Sequence, residues 1–410
     1  MLPELPPDMH IGFESSILTR SMTGVANYTF NIVSSALELD PDLRFTGFRD
    51  LDWRGFGLAD AHQISRSHEK QGAGERAAPA SFPHLRSRVL DTLVRFPGSR
   101  AAAAVYRSFR RERFSTSVGK QSLDLFHAFN FRPLADPGVP TLPVIYDLST
   151  FRHPEFHPRD RVEWLEPLRT FVADAPLVHT ISDFSRREIA DVFGYPPARI
   201  VVAPPAASAL FVPAGRETTQ PALRAFDLTY GDYFLAVGTH EPRKNLRTVI
   251  LAYERLSPAA RMRCPLVLAG GRGWGNLDLP GQTENLIREG SLRFVHGATD
   301  PQLRALYEGA RLLVSPSLYE GFGMPVVEAL ACGTPVAHSA GTSMDEISGT
   351  VGVRVAALDV DGWSQAFRDA LEGDVHVCPE LREARIAQAR QFDWRRSAGL
   401  VIEAYRRILS

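Results

Sequence analysis

The stretch SPSLYEGFGMPVVEALACGTPVAHS, residues 315–339, decides how this chain is read. From Met324 to Cys332 every position is apolar except Glu328, and Glu320 stands eight positions earlier in a glycine-flanked turn. The pattern is strand, turn and helix. RLLVSPS (311–317) ends, LYEGFG turns, and a helix opens at Met324 or Pro325, where a proline's missing N–H costs nothing. Gly333 and Pro335 then stop it. Such a turn points free backbone N–H groups and a positive dipole end at whatever lies above, with Gly321 and Gly323 allowing close approach. Burying a lone carboxylate costs on the order of several kcal/mol, so Glu328 requires a partner: a vicinal diol, or an arginine.

Outward from this stretch the C-terminal half alternates strand and helix. YFLAVGT (233–239), CPLVLAGG (264–271), LRFVHGA (292–298) and TPVAHSA (334–340) read as further buried strands. KNLRTVILAYERL (244–256), PQLRALYEGA (301–310) and MPVVEALAC (324–332) read as helices between them. That order predicts a doubly wound α/β domain with a parallel sheet. In the N-terminal half MHIGFESSIL, LRFTGF, LDLFHAF, TLPVIYDLS, APLVHTIS and RIVVAPPA read as strands, and residues 24–39 and 183–194 as helices. Domains over 1–210 and 220–393 are expected, joined by a proline-rich linker, with a helix at 394–410 free to dock back on the first.

The 410 residues carry a net charge of −1 and no basic excess, so nucleic acid is not an expected partner. Three cysteines without metal spacing, no secretory pattern in MLPELPPD and no apolar run of eighteen predict a cytoplasmic protein. His153 and His157, in RHPEFHP, lack supporting ligand spacing, so no metal is expected and they read as loop structure. Residues 55–122 fit the alternation least. Arg86, Arg88, Arg95, Arg100, Arg107, Arg110, Arg111 and Arg113 face only Asp91 and Glu112 there. Leu90, Leu93, Val94, Val105, Tyr106 and Phe109 interleave at helical spacing. Two readings stand open: peripheral contact of Arg86–Arg113 with an anionic membrane surface, or a solvated helix face.

With SPS before it and ACGTPV after it, EGFGMPVVE resembles the retaining family-4 (group 1) glycosyltransferases of the GT-B fold. GTHEPRKNL, LAGGRGW, HTISDFSRREIA and YDLSTFRHPEF extend the resemblance over most of the chain outside 50–122. The resemblance implies two Rossmann-like domains facing across a cleft and a nucleotide diphosphate sugar as co-substrate, with no other cofactor. It further implies that Glu328 holds the ribose and Glu320 lies by the donor sugar. The segment Gly321, Phe322, Gly323, Met324 and Pro325 would line the sugar and phosphate, and Arg243 and Lys244 would neutralise the departing diphosphate. Gly24 matches the glycine turn that closes from the other domain, and Asp147 joins the catalytic set. EPRKN and YDLS…RHPEF resemble relatives that transfer mannose, which makes GDP-mannose the first donor and a lipid-linked or oligosaccharide acceptor of surface polysaccharide synthesis the expected partner.

This chain departs from the family in two places. Tyr146 precedes Asp147 where many members have a histidine, so a tyrosine hydroxyl is the expected sugar contact. Thr239 and His240 stand where relatives often carry an arginine, leaving that charge to Arg243. A nucleotide-sugar epimerase or phosphorylase of the same fold, or a non-catalytic nucleotide-sugar-binding protein, are the rival readings. No G-x-G-x-x-G opens either sheet, which disfavours a nicotinamide enzyme.

Overall fold

The computed structural model describes residues 9–19, 24–64, 99–271, 273–275, 277, 279–373 and 378–410. The strands are β1 (His10–Glu14), β2 (Arg44–Arg49), β3 (Asp52–Phe56), β4 (Leu125–Ala128), β5 (Thr141–Ile145), β6 (Val178–Thr180) and β7 (Ile200–Val202), followed by β8 (Phe234–Val237), β9 (Leu266–Ala269), β10 (Leu292–Val295), β11 (Leu312–Ser315), β12 (Val336–Ser339) and β13 (Val353–Val355). They form two sheets, ordered β3-β2-β1-β4-β5-β6-β7 and β10-β9-β8-β11-β12-β13. Every pairing is parallel except β2 with β3. Every residue of β4, β5, β9 and β12 is buried, as expected for parallel strands covered on both faces. In the second sheet the strand order reverses between β8 and β11, the place where open α/β sheets bind ligands beyond their carboxyl ends.

Three sequence expectations change. The first strand is shorter, because Ser15–Thr19 turns into a 3-10 helix. The expected linker contains the helix Arg216–Leu223. Glu308 from the second domain holds its start, accepting from Ala214 N, Gly215 N and Thr219 Oγ1. Edge strands β3 and β13 had no signature, being short and interrupted by charge (Asp52, Arg54, Arg354), as edge strands often are.

The helix Trp394–Leu409 packs on the first domain, beside the helix Gly24–Leu39. A fully buried chain of hydrogen bonds fixes it there. Tyr28 O–H donates to the Ala203 carbonyl (2.5 Å), so its oxygen accepts from His179 Nε2 (2.7 Å). His179 Nδ1 then accepts from His127 Nε2 (3.0 Å), whose Nδ1 accepts from the Tyr405 hydroxyl (2.6 Å). The order leaves one tautomer for each imidazole and no room for an extra proton. Burial pushes His179 down to about 3 and His127 well below its ordinary value. Both histidines are neutral when folded and titrate near 6.5 when unfolded, so the unfolded chain binds more protons as pH falls. Stability is complete above pH 6.5 and declines below it by about 1.4 kcal/mol per pH unit for each histidine. Urea midpoints between pH 7 and pH 5 measure this decline, and the His179→Gln variant is expected to show roughly half the slope.

Candidate active site

The loops after β8 and β11 meet at the strand-order reversal. After β8 the chain forms the 3-10 turn Pro242–Lys244, followed by Asn245 at φ 53°. Asparagine tolerates that left-handed conformation. Its amide donates to Pro316 O (3.0 Å) and Ala357 O (2.7 Å), tying the turn to the loop after β11. Arg243 and Lys244 therefore stand on a tight turn ahead of the helix Leu246–Glu254, which begins two residues later than the expected start at Lys244.

Both cations converge on Glu320. Arg243 Nη1 lies 3.0 Å from Glu320 Oε2, Lys244 Nζ donates to Oε1, and Ser317 Oγ donates to the same oxygen (2.8 Å). Arg243 also pairs with Glu241 (2.6 Å) and donates to Tyr319 O (2.7 Å). Burial alone would raise the Glu320 carboxyl, but Arg243 and Lys244 outweigh it and hold it at about 2. Burial likewise opposes the Arg243 charge, yet Glu320, Asp147 and Glu241 keep it above its ordinary range. Of this cluster Lys244 also lines a narrow crevice, together with Gly238, Thr239, His240 and Ser315–Ser317.

The helix Met324–Ala331 begins from Gly323 at φ 114°, with Met324 and Pro325 half-buried at its head. Ser343 Oγ donates to the Glu320 and Phe322 carbonyls, which fixes the turn, and Phe322 is buried against Phe392. Glu328, one turn on, is half-buried and accepts from the Tyr307 hydroxyl (2.7 Å). Among the described residues it forms no ion pair, so an arginine partner is not the answer. Burial raises its carboxyl to about 7, with the Tyr307 bond opposing and Asp300 adding.

The first domain closes on this loop. Ser182 Oγ donates to Gly321 O (2.6 Å), and Ser185 Oγ reaches both Gly321 O and Tyr146 O (3.2 Å). Glu346 accepts from Asp183 N (3.0 Å) and Phe184 N (3.2 Å), capping the helix Asp183–Phe193 from the opposite domain. A Cβ on Gly321 would collide with the Tyr146 carbonyl and Asp147 Cβ. That glycine serves the approach of the two domains, not only of a ligand as its sequence context suggested. Asp147, half-buried, accepts from Ser149 N (2.9 Å) and Ser149 Oγ (2.6 Å) and faces Arg243 across the seam. The expectation for Tyr146 is corrected: its hydroxyl donates to Phe129 O (2.9 Å) and the residue is 8% exposed, so only its backbone meets the seam. Gly24 begins the helix Gly24–Leu39, exposed and with nothing within 4 Å of where a Cβ would stand; residues 20–23 before it lie outside the described residues.

Two imidazoles stand differently from their sequence reading, which took His157 as loop structure and gave His240 no role. Both nitrogens of His157 are buried without a hydrogen-bond partner, beside Trp274 of the second domain. Burial, with Arg161 and Arg243 nearby, lowers His157 to about 4, although Asp147 and Glu155 oppose. His240 Nε2, in the crevice, is likewise buried and unpartnered. A buried unpaired polar group costs about 1–3 kcal/mol, which a ligand atom would recover. No local signal shows that either ring lacks a partner, since that depends on contacts distant in the chain.

The family model described as glycosyl transferases group 1 matches residues 229–392, the span holding Arg243, Lys244, Glu320 and Glu328. O-antigen chain mannosyltransferase B of Escherichia coli is 41% identical over 265 residues, covering 64% of this chain and 69% of that protein. The chain is a group 1 glycosyl transferase. The serotype-specific mannosyltransferase WbdA of Escherichia coli is 33% identical over 186 residues, but the match spans only 22% of that longer protein. Among solved structures, HepE of Anabaena in complex with UDP-glucose aligns with a TM-score of 0.65 at 16% identity, over 96% of this transferase and 98% of that chain. At that identity the likeness speaks to fold, which is GT-B.

Proposed function

We propose that this glycosyl transferase moves a hexose, mannose from GDP-mannose first, to a lipid-linked or oligosaccharide acceptor in surface polysaccharide synthesis, with retention at the anomeric carbon. The observation that carries the reading is the convergence of Arg243 and Lys244 on Glu320 at the β8–β11 reversal. Transfer separates an oxocarbenium-like sugar from a nucleoside diphosphate. Cations already fixed in place stabilise that leaving group as its charge develops, without reorganising. They also supply the positive charge a metal would bring, so activity is expected to survive EDTA. The leaving phosphate would take the acceptor's proton as the new bond forms. Mannose as the sugar is supported by the name of the 41% identical relative.

Thermal unfolding with GDP, UDP, ADP, dTDP and CMP tests the donor; a nucleotide at a hundred times its Kd stabilises by about 2.7 kcal/mol. Stabilisation by UDP instead of GDP would overturn the donor base, and silence from all five would overturn the transferase reading. Glu328 adds a pH signature. A diol is bound best by the carboxylate, and the free enzyme holds this carboxyl near 7. Affinity should therefore rise about tenfold per pH unit up to pH 7 and level off above it. Glu328→Gln should abolish that limb, whereas Tyr307→Phe, by removing the donated bond, should move it to higher pH.

Peripheral membrane contact is proposed for part of the basic segment. In the helix Ser99–Ser117, Arg110 is committed to Glu14 (2.9 Å) and Phe114 is fully buried, so its C-terminal part is packing. Nearer its start Val105 is 69% and Phe109 51% exposed, with Arg107 and Arg111 also exposed. Arg86, Arg88 and Arg95 lie outside the described residues. No described helix is long and apolar enough to cross a membrane. Sedimentation with phosphatidylglycerol vesicles is expected to fall in a Val105→Glu, Phe109→Glu variant, and unchanged sedimentation would remove the proposal.

A further inference from the structure

An aromatic platform lies on the first domain's side of the seam, where β4 and β5 end. After β4 the chain runs through Phe129, Asn130, Phe131 and Arg132. Phe131 takes φ 65°, uncommon for a bulky residue and a feature that clusters at ligand sites. Its ring meets Tyr146 edge-on at 5.6 Å and Trp164 edge-on at 5.9 Å. Trp164 belongs to the helix Arg159–Leu165 and remains 40% exposed, a large aromatic surface left open to solvent. One turn earlier on the same face, Arg161 reaches over Trp274 of the second domain (5.6 Å), which places that face along the cleft. The Arg132 guanidinium stands 5.8 Å from the Trp164 ring and donates to Trp164 O (3.3 Å), while its Nε is buried without a partner.

An exposed indole beside a guanidinium with an unused donor suits one kind of ligand: a pyranose ring. Its C–H face packs on the aromatic ring, and its hydroxyls accept from the guanidinium. The donor contacts described above come mainly from the second domain, and Tyr146 links the platform to Asp147 and Gly321. We propose that Trp164, Arg132 and Phe131 form the subsite for the acceptor's terminal sugar ring, recognising a glycan and not its lipid. This rests on the transferase reading above.

Initial rates decide it, with methyl α-D-mannopyranoside varied against the nucleotide sugar selected by the thermal series. Trp164→Ala is expected to raise the acceptor KM at least about tenfold (about 1.4 kcal/mol) and to leave the donor KM within twofold. Trp164→Phe should recover most of the loss, and Arg132→Gln should raise the acceptor KM several-fold. An acceptor KM unchanged within twofold in Trp164→Ala, or donor and acceptor KM rising together, would overturn the subsite. If Trp164→Ala does not fold, unchanged acceptor KM values in both Trp164→Phe and Arg132→Gln overturn it equally. A wild-type enzyme that transfers from no nucleotide sugar would overturn the transferase reading, and the subsite with it.

Discussion

Lys244→Ala is expected to lower kcat by roughly 10²–10³ while the protein stays folded. Removing one preorganised donor from a developing anion costs about that much in other enzymes, because its contribution is largest in the transition state. Lys244 is the cleaner of the two cations to remove. Its ammonium bonds Glu320 but carries no other part of the fold, and Glu320 keeps Arg243 and Ser317 when it is gone. Arg243→Ala would in addition strand Glu241, 2% exposed, and weaken Glu320, 8% exposed; breaking such a buried pair costs about 3–5 kcal/mol of stability. The two variants thus differ in kind: loss of rate for Lys244, loss of rate and thermal midpoint for Arg243. Lys244→Arg is not expected to rescue fully, since a planar fork cannot follow a moving phosphate as a compact ammonium does. Nucleotide release under saturating donor measures kcat. A fall of less than tenfold in Lys244→Ala would mean that the lysine only neutralises Glu320.

Gly321→Ala is expected to reduce kcat/KM by about a hundredfold or more. The added methyl would strike the Tyr146 carbonyl and Asp147 Cβ, both anchored, so the domains themselves must give way. A misplacement of about 1 Å in a reacting assembly is enough to cost about 10²-fold. Overpacking costs about 1–3 kcal/mol, so the thermal midpoint falls modestly. The glycine's own backbone is not left-handed, so the penalty arises across the seam and neither sheet should be weakened alone. Gly399→Ala, where a Cβ meets nothing within 4 Å, serves as the control: it should leave kcat/KM unchanged and, lying inside the helix Trp394–Leu409, raise rather than lower the thermal midpoint. Full activity in Gly321→Ala would show that catalysis does not require the two domains to approach as closely as they do here.

Glu320 and Glu328 are separated by a fixed spacing inside one turn and helix, and the helix Met324–Ala331 follows from its own proline and glycine signals. Strand and helix alternation is likewise local, so the helices at 24–39 and 394–409 stand where their periodicity placed them. Much of the candidate donor site is written within a few consecutive residues, so its turn and helix were legible in the sequence alone. Contacts between distant segments are not written that way. Tertiary structure decided that Arg243 and Lys244 share Glu320, that Glu328 has a tyrosine and no arginine, and that Tyr146 turns its hydroxyl into the core. It also decided that Gly321 spaces two domains, that His157 is left without a partner, and that Trp164 stays exposed beside Phe131 and Arg132. The physical reason is common to all of these. A periodic pattern records which face of an element is buried, whereas the identity of the group it meets depends on where another part of the chain comes to rest.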